Sequence, residues 1–193
     1  MARCYSDAVS KRYPSLPLAL PLIWLISDAR NDAGLERALA RLPRGSGLVF
    51  RHYHLAATER RARFDDLRRI ARHHGHRIFL SADARTARAW RADGAYGSAR
   101  VLASGPALPR LVTAHSLREM RTARANAIML SPVFATRSHP GAESLGPVRF
   151  RLLSRFAQAP VIALGGMTAR RAAAFGLRRW AAIDGLNNSS SRA

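Results

Sequence analysis

Two adjacent glycines in ALGGMT (163–168) are the plainest chemical signal in the sequence. They separate an apolar run from a helix start at Thr168, where exposed backbone N–H groups and the helix dipole can approach an anion closely. A tight turn uses the same pair, so the motif alone leaves phosphate binding and simple chain reversal both open. Other side chains with chemistry to offer recur where apolar runs end. Arg51 closes GLVFR and is followed by His52, Tyr53 and His54; Ser81 closes RIFLS, with Asp83 just beyond. Thr113, His115 and Ser116 stand at the end of RLVTA, and Asp184–Gly185 at the end of WAAIDG. His52 and His54 read equally as functional side chains or as a solvated loop. His115 fits a hydrogen-bonding structural role better than acid–base work. His73, His74 and His76 could imitate a metal cluster, but at a helix end they read as caps for carbonyl groups in solvent. No HExxH, Walker or GxGxxG pattern is present.

The elements that must position these residues follow from short apolar runs at nearly regular intervals. They are LIWLIS (22–27), GLVFR (47–51), RIFLS (77–81), GAYGS (94–98), RLVTA (110–114), AIMLS (127–131), PVIALGG (160–166) and WAAIDG (180–185). Most lack alternation, as expected of strands buried on both faces. Helical spacing lies between them. DDLRRIARHHG (65–75) puts Leu67, Ile70 and Ala71 on one face and stops at Gly75. SLREMRTARAN (116–126) opens with Ser116 and Glu119 in capping-box spacing. PVRFRLLSRFAQ (147–158) has Pro147 in its first turn and Val148, Leu152 and Phe156 along one stripe. TARRAAAFG (168–176) runs from Thr168 to Gly176.

This alternation predicts an α/β fold, a single small (βα)8 barrel with a weak fourth helix near VLASGPAL (101–108) and a last helix short or absent. A doubly wound open sheet is the alternative; eight units within 193 residues fit a small barrel better. Residues 1–21 read as an N-terminal extension, 22–186 as the barrel and 187–193 as a polar tail. Barrel active sites lie at the C-terminal ends of the strands, where the candidates above fall. The sixth run opens into LSPVFATRSHPGAESLGP (130–147), far longer than the ~2–6 residues typical of such connections.

Composition narrows the classes. The net charge is +20, and Lys11 is the one lysine among 32 basic side chains. Such a field attracts phosphate-bearing ligands or polyanions. The arginines are dispersed, however, and most read as solvated helix faces. No lysine stands in the body of the chain for a Schiff base or a phosphate clamp. Cys4, the single cysteine, excludes an internal disulfide and an all-cysteine metal site. Nucleic acid is disfavoured as a partner by 7% aromatic content and the lack of a recognition module. LPLALPLIWLI (16–26), behind Lys11 and Arg12, is signal-like. Pro17 and Pro21 interrupt it, it is too short to span a bilayer, and the barrel needs its end as a first strand. The reading is a cytoplasmic protein without a membrane partner, its oligomeric state open.

SPVFATRSHPGAESLGPVRF followed by APVIALGGMT resembles the thiamine phosphate synthase/TenI family, whose members usually read GPVFxTx(S/T)K in the loop after strand 6 and PV(V/I)AIGGI later. VTAHSLREM (112–120) is similar to the family's strand-5 segment, and VFRHYHL (49–55) stands where the family has QxRxK. Order and spacing agree from about residue 22 to 186. The resemblance implies a (βα)8 fold and a transferase of thiamine biosynthesis. It would join hydroxymethylpyrimidine diphosphate to thiazole phosphate and release pyrophosphate, with Mg2+ and basic residues neutralising the departing charge. Carried over by position, Arg51 would hold pyrophosphate and Thr113 would touch the pyrimidine. Thr136 and Ser138 would bind phosphate oxygens, with His139 in place of the loop lysine. Gly165–Gly166 and Asp184–Gly185 would cradle the thiazole phosphate. The sequence departs from the pattern at Val49 and Tyr53, which replace the glutamine and lysine of QxRxK. Ser81–Ala82 replace the Asn-Asp after strand 3, leaving Asp83 as a shifted Mg2+ ligand, and Val101 replaces the second aspartate. Pro132 replaces the histidine of the related thiazole tautomerases. The alternative to the coupling enzyme is a divergent member that binds thiazole phosphate or thiamine phosphate without joining anything.

Overall fold

Each of the eight apolar runs forms a parallel strand in the computed structural model, which describes residues 20–137, 141 and 143–186. The strands are β1 (Ile23–Ile26), β2 (Gly47–Phe50), β3 (Arg77–Ser81), β4 (Gly94–Ser98), β5 (Arg110–Ala114), β6 (Ala127–Leu130), β7 (Val161–Ala163) and β8 (Trp180–Ala182). They pair in sequence order, and β1 closes on β8 through Ile23–Trp180, Trp24–Ala181 and Leu25–Ala182. The result is a closed barrel, not an open doubly wound sheet.

Alternate strand residues divide into two buried clusters, as the two-residue period of a strand requires. Leu25, Leu48, Phe50, Ile78, Leu80 and Ile128 belong to the layer shared with the helices. Trp24, Ile26, Val49, Phe79, Leu111 and Met129 fill the barrel interior. Trp24 and Phe79 meet edge to face there, with ring centroids 4.9 Å apart. Two glycines make the room. A Cβ at Gly47 would run into the Trp24 indole, and one at Gly94 into the Phe79 ring. The indole N–H is satisfied by the Pro21 carbonyl at 2.8 Å. Fully burying a side chain of this size contributes ~1.5–3 kcal/mol, so the interior is a packed core, not a pore.

Six α-helices stand among the described residues: α1 (Leu35–Arg41), α2 (Ala57–His73), α3 (Ala84–Ala89), α4 (Leu117–Thr122), α5 (Gly146–Ser154) and α6 (Ala169–Ala174). A 3-10 turn over Ala29–Gly34 precedes α1. Helix α2 buries Leu67 and Ala71 as expected, but it starts at Ala57 and also buries Phe64. Its first two turns are too charged to show an apolar period. Ser116 caps α4 by accepting from the Glu119 N–H at 3.2 Å, while the Glu119 carboxylate accepts from the N–H of His115, one residue before the cap. Thr168 caps α6, and Gly176 ends it at φ 58°.

Three expectations are corrected. The fourth helix is absent: residues 99–109 run as turns and irregular chain, with Leu102 buried where a helix would pack. Along α5 and the turn after it, Val148, Leu152 and Phe156 are exposed at 70%, 54% and 54%, and Phe150 is the buried residue. The lead-in sets that rotation, because Leu145 and Gly146 donate to the Pro132 and Val133 carbonyls at 2.9 Å each. His76 does cap a helix carbonyl, that of Leu39 at 2.9 Å, but it is buried rather than in solvent. The extension before residue 20 and the tail after 186 lie outside the described residues. No helix among the described residues is long and apolar enough to cross a membrane, and Ile23–Ile26 of the signal-like stretch is a barrel strand.

Candidate active site

The strand ends converge on one cavity of about 1000 Å3. Its wall carries Arg51, Thr113, Thr136, Gly165, Gly166, Asp184 and Gly185. Ser138 and His139 lie outside the described residues. The cavity also continues past Trp180 to Ile23, Arg41 and Pro43, so only part of that volume belongs to the C-terminal rim.

The glycine turn is built by close approach. Gly165 and Gly166 hold φ at 94° and 61°, a region that costs other residues strain. A Cβ on Gly165 would lie 2.7 Å from the Pro132 Cα, and one on Gly166 would lie 2.5 Å from the Ala135 carbonyl oxygen. The start of the long loop after β6 therefore lies directly on this turn. Val133 and Phe134 donate to the Leu164 and Gly165 carbonyls at 2.9 and 3.1 Å, and Arg171 donates to the Gly166 carbonyl. With these carbonyls engaged as acceptors, the backbone N–H groups are what the turn can offer an anion, as a cradle requires. Gly185 closes the other side, since a Cβ there would strike the Met167 carbonyl. Asp184 sits beside it, paired with Arg137 at 3.1 Å and Arg30 at 3.7 Å. Those guanidinium groups offset a carboxylate that would otherwise repel a phosphate.

On the opposite wall β2 ends and the chain turns sharply. Arg51 is held at both backbone groups by side chains: its N–H donates to Ser27 Oγ at 2.8 Å, and its carbonyl accepts from Arg60 Nε at 2.9 Å. Arg60 also donates to the Ser81 carbonyl at 3.0 Å, tying the ends of β2 and β3 together, and lies over the Phe50, Tyr53 and Trp90 rings. The Arg51 guanidinium lies 5.6 Å from the Tyr53 ring centroid. The Tyr53 hydroxyl is hydrogen-bonded to Ser81 Oγ, so two positions that depart from the family pattern form one neutral pair. Tyr96 lies deeper, its phenol pushed up to about 12 by burial. Thr113 Oγ1 makes a marginal contact of 3.5 Å with the Gly97 carbonyl. His115 Nδ1 donates to the Ser131 carbonyl at 3.1 Å, which is the structural role expected of it.

His52 is neither a catalytic group at the rim nor part of a solvated loop. It is 1% exposed, at φ 36°, stacked on Phe50 and hydrogen-bonded to Ser27 and Asp32. Sequence reasoning missed Ser27 and Asp32, which lie 25 and 20 residues from it. The one available signal was Asp28 before a turn, a cap pattern that marks where β1 ends.

Asp83 stays apart from this cavity. Its carboxylate caps α3, accepting from the Arg85 and Thr86 N–H groups at 2.8 and 3.0 Å and from the Thr86 hydroxyl at 2.7 Å. The Thr86 amide and hydroxyl hold it below the usual carboxylate range, against the opposing effect of burial. Among the described residues no three His, Cys, Asp or Glu side chains gather to hold a metal ion. Mg2+ takes hard oxygen ligands, typically one or two carboxylates. With Asp83 committed to its helix and Asp184 to arginines, the described residues do not fit that ion.

Known proteins agree with this architecture. The sequence profile of the thiamine monophosphate synthase family matches residues 23–186. Among solved structures, the thiamine phosphate pyrophosphorylase from Pyrococcus furiosus superposes with a TM-score of 0.69 at 21% identity, covering 89% of each chain. The thiamine phosphate pyrophosphorylase from Bacteroides thetaiotaomicron gives 0.52 at 16% identity, over 84% of this chain and 82% of that one. At these identities the likeness is one of fold. No curated protein sequence matches.

Proposed function

The chain belongs to the thiamine monophosphate synthase family, and on that premise we propose that it joins hydroxymethylpyrimidine diphosphate to thiazole phosphate. The observation that carries this reading is one cavity bounded by Arg51 on one wall and by the Gly165–Gly166 turn on the other. That arrangement suits two anionic substrates meeting between their charged ends. The C–O bond from the pyrimidine methylene to the diphosphate breaks, and its electron pair leaves with pyrophosphate. The thiazole nitrogen then donates its lone pair to the cationic methylene carbon, forming the C–N bond. Arg51 holds the departing pyrophosphate and Thr113 contacts the pyrimidine. Thr136, Ser138 and His139 serve phosphate oxygens from the loop, and Gly165–Gly166 with Asp184–Gly185 cradle the thiazole phosphate. Positive groups fixed where charge develops stabilise such a step without reorganising. Asp83, which caps its own helix, brings no Mg2+ ligand to this cavity. The partners are small phosphorylated heterocycles, and the compartment is the cytoplasm.

A second reading is favoured by the neutral Tyr53–Ser81 pair. If one guanidinium faces a diphosphate there, the protein holds thiazole phosphate or thiamine phosphate without coupling. Purified protein with both substrates, assayed with Mg2+ and with EDTA, separates the two. Thiamine phosphate above a no-enzyme blank supports coupling. No product, together with EDTA-insensitive calorimetric binding of thiazole phosphate, supports the second reading and rejects the first.

A further inference from the structure

We propose that His52 is a positioning residue for Arg51, acting through a hydrogen-bond chain of fixed direction that runs from the Arg51 amide through Ser27 and the imidazole to Asp32. This rests on the reading of Arg51 as an anion-binding residue. The direction follows from chemistry. The Arg51 N–H can only donate, so Ser27 Oγ accepts it at 2.8 Å. The Ser27 hydroxyl proton is then free to be donated, and His52 Nδ1 lies 2.8 Å away. A carboxylate only accepts, so the Nε2 that faces Asp32 carries the imidazole proton, and in the neutral ring Nδ1 is left with the lone pair. Nε2 donates to Asp32 Oδ1 at 2.8 Å, the acceptor that also takes Arg63. With His52 neutral in this tautomer, each link presents a donor to an acceptor and the Ser27 hydroxyl proton has its partner.

The two middle links are sealed from solvent, with Ser27 at 0% and His52 at 1% exposure, while Asp32 at the outer end is partly exposed. It stands in for the strand ladder where β2 has already ended, so the peptide that launches the Arg51 guanidinium is fixed by side chains. Protonating His52 would turn Nδ1 into a donor aimed at Ser27, and the Ser27 hydroxyl would lose its acceptor. The groups facing the imidazole are Asp32, Arg63 with its partner Glu36, and His54, beside neutral Ser27 and Phe50. Burial holds His52 below its ordinary range, with the Asp32 hydrogen bond opposing, so the ring is neutral near neutrality, and its protonation in acid takes from the Ser27 hydroxyl its acceptor.

Inorganic sulfate is the test probe, because its charge is constant between about pH 5 and pH 8, where histidines change theirs. Site binding is the difference between the protein and its Arg51→Ala variant. Acid adds positive charge to exposed histidines and should tighten anion binding generally, whereas the chain predicts the opposite sign. Affinity at the Arg51 site should fall roughly 3- to 10-fold from pH 8 to pH 5, the worth of one hydrogen bond. His52→Asn tolerates the positive φ but cannot bridge Ser27 to Asp32, and Ser27→Ala removes the middle link. Both should bind as weakly at pH 8 as the unaltered protein does at pH 5, and should tighten in acid. If Arg51→Ala changes nothing at any pH, Arg51 is not the anion residue, and the reading beneath this inference fails. If Arg51→Ala abolishes site binding while the unaltered protein tightens in acid, the role of His52 is overturned and that of Arg51 stands. The same holds if His52→Asn keeps the original affinity and pH profile. Should His52→Asn melt below the assay temperature, Ser27→Ala and the unaltered protein's profile decide.

Discussion

Tyr53 replaces a family lysine and hydrogen-bonds the residue that replaces a family asparagine, Ser81, so two departures are read best as one change. Tyr53→Phe removes that bond from an exposed ring and should cost no more than ~1 kcal/mol in denaturant unfolding. Tyr53→Lys places a second cation beside Arg51 and should tighten calorimetric binding of inorganic pyrophosphate by roughly 3- to 10-fold. An unchanged affinity would mean that pyrophosphate does not sit on this wall. At Gly166 structure and chemistry cannot be separated by one substitution. Gly166→Ala meets the Ala135 carbonyl oxygen at 2.5 Å and forces a φ of 61° on alanine, so a loss of ~2–3 kcal/mol in thermal or chemical unfolding is expected whatever the turn binds. The glycine pair was readable in sequence because its conformation admits little else. The Asp83 cap was readable too, as Asp before a helix start, although the family resemblance implied a shifted metal ligand there. The His52 network was not readable, because a triad assembled from residues 20 and 25 positions apart leaves no local pattern.

Among the elements, the strands were legible because burial on both faces demands unbroken apolar runs, and the helices less so. Over α5 and the residues just after it two apolar rows compete, Val148–Leu152–Phe156 and Phe150–Leu153–Ala157, and periodicity alone cannot say which faces inward. The hydrogen bonds of Leu145 and Gly146 to the preceding loop decide it. Leu152→Gln should therefore change stability by less than ~0.5 kcal/mol, whereas Phe150→Ala should cost ~3–5 kcal/mol. Paired chemical denaturation curves check the assignment; comparable losses from both would reverse it. The irregular 99–109 segment follows the same logic. Its Ser, Gly and Pro residues offer turn chemistry and little helical propensity, so buried Leu102, with half-buried Ala99 and Leu108, covers that stretch of the barrel wall. The loop after β6 has a double identity that its composition concealed: residues 133–134 extend the pairing towards β7, while Ser131 and Pro132 before them and Ala135 to Arg137 after them line the cavity.

For the molecule as a whole, buried titrating groups set an acid limit on stability. His52 and His76 are held neutral by burial, below their usual value of 6.5. The unfolded chain therefore binds protons that the folded one refuses, and stability present above about pH 6.5 is lost as pH falls, by up to ~1.4 kcal/mol per pH unit for each group. Asp32 and Glu36 are displaced downward: burial outweighs each single pairing at Asp32 but not the sum of His52 and Arg63, and Arg63 dominates at Glu36. Their contribution is present above their unfolded values near 4 and is lost below them. Unfolding free energy measured against pH should thus decline in two stages, the first absent from a His52→Asn, His76→Gln double variant. A flat profile between about pH 7 and pH 5 would contradict the neutral assignment of both histidines. The closed barrel was legible from the count and spacing of its strands, while the partition of its interior was hidden, because glycines 47 and 94 gave no hint of which rings they admit. That partition has an optical consequence. Trp24 is dry, rigid and crossed edge-on by Phe79, so its emission should be blue-shifted and its near-ultraviolet dichroism strong. Trp180, on the cavity wall, and Trp90, beneath two guanidinium groups, have different surroundings. One chain thus carries a spectroscopic gauge of its own barrel, separable by single Trp→Phe replacements from the signal of ligand arrival.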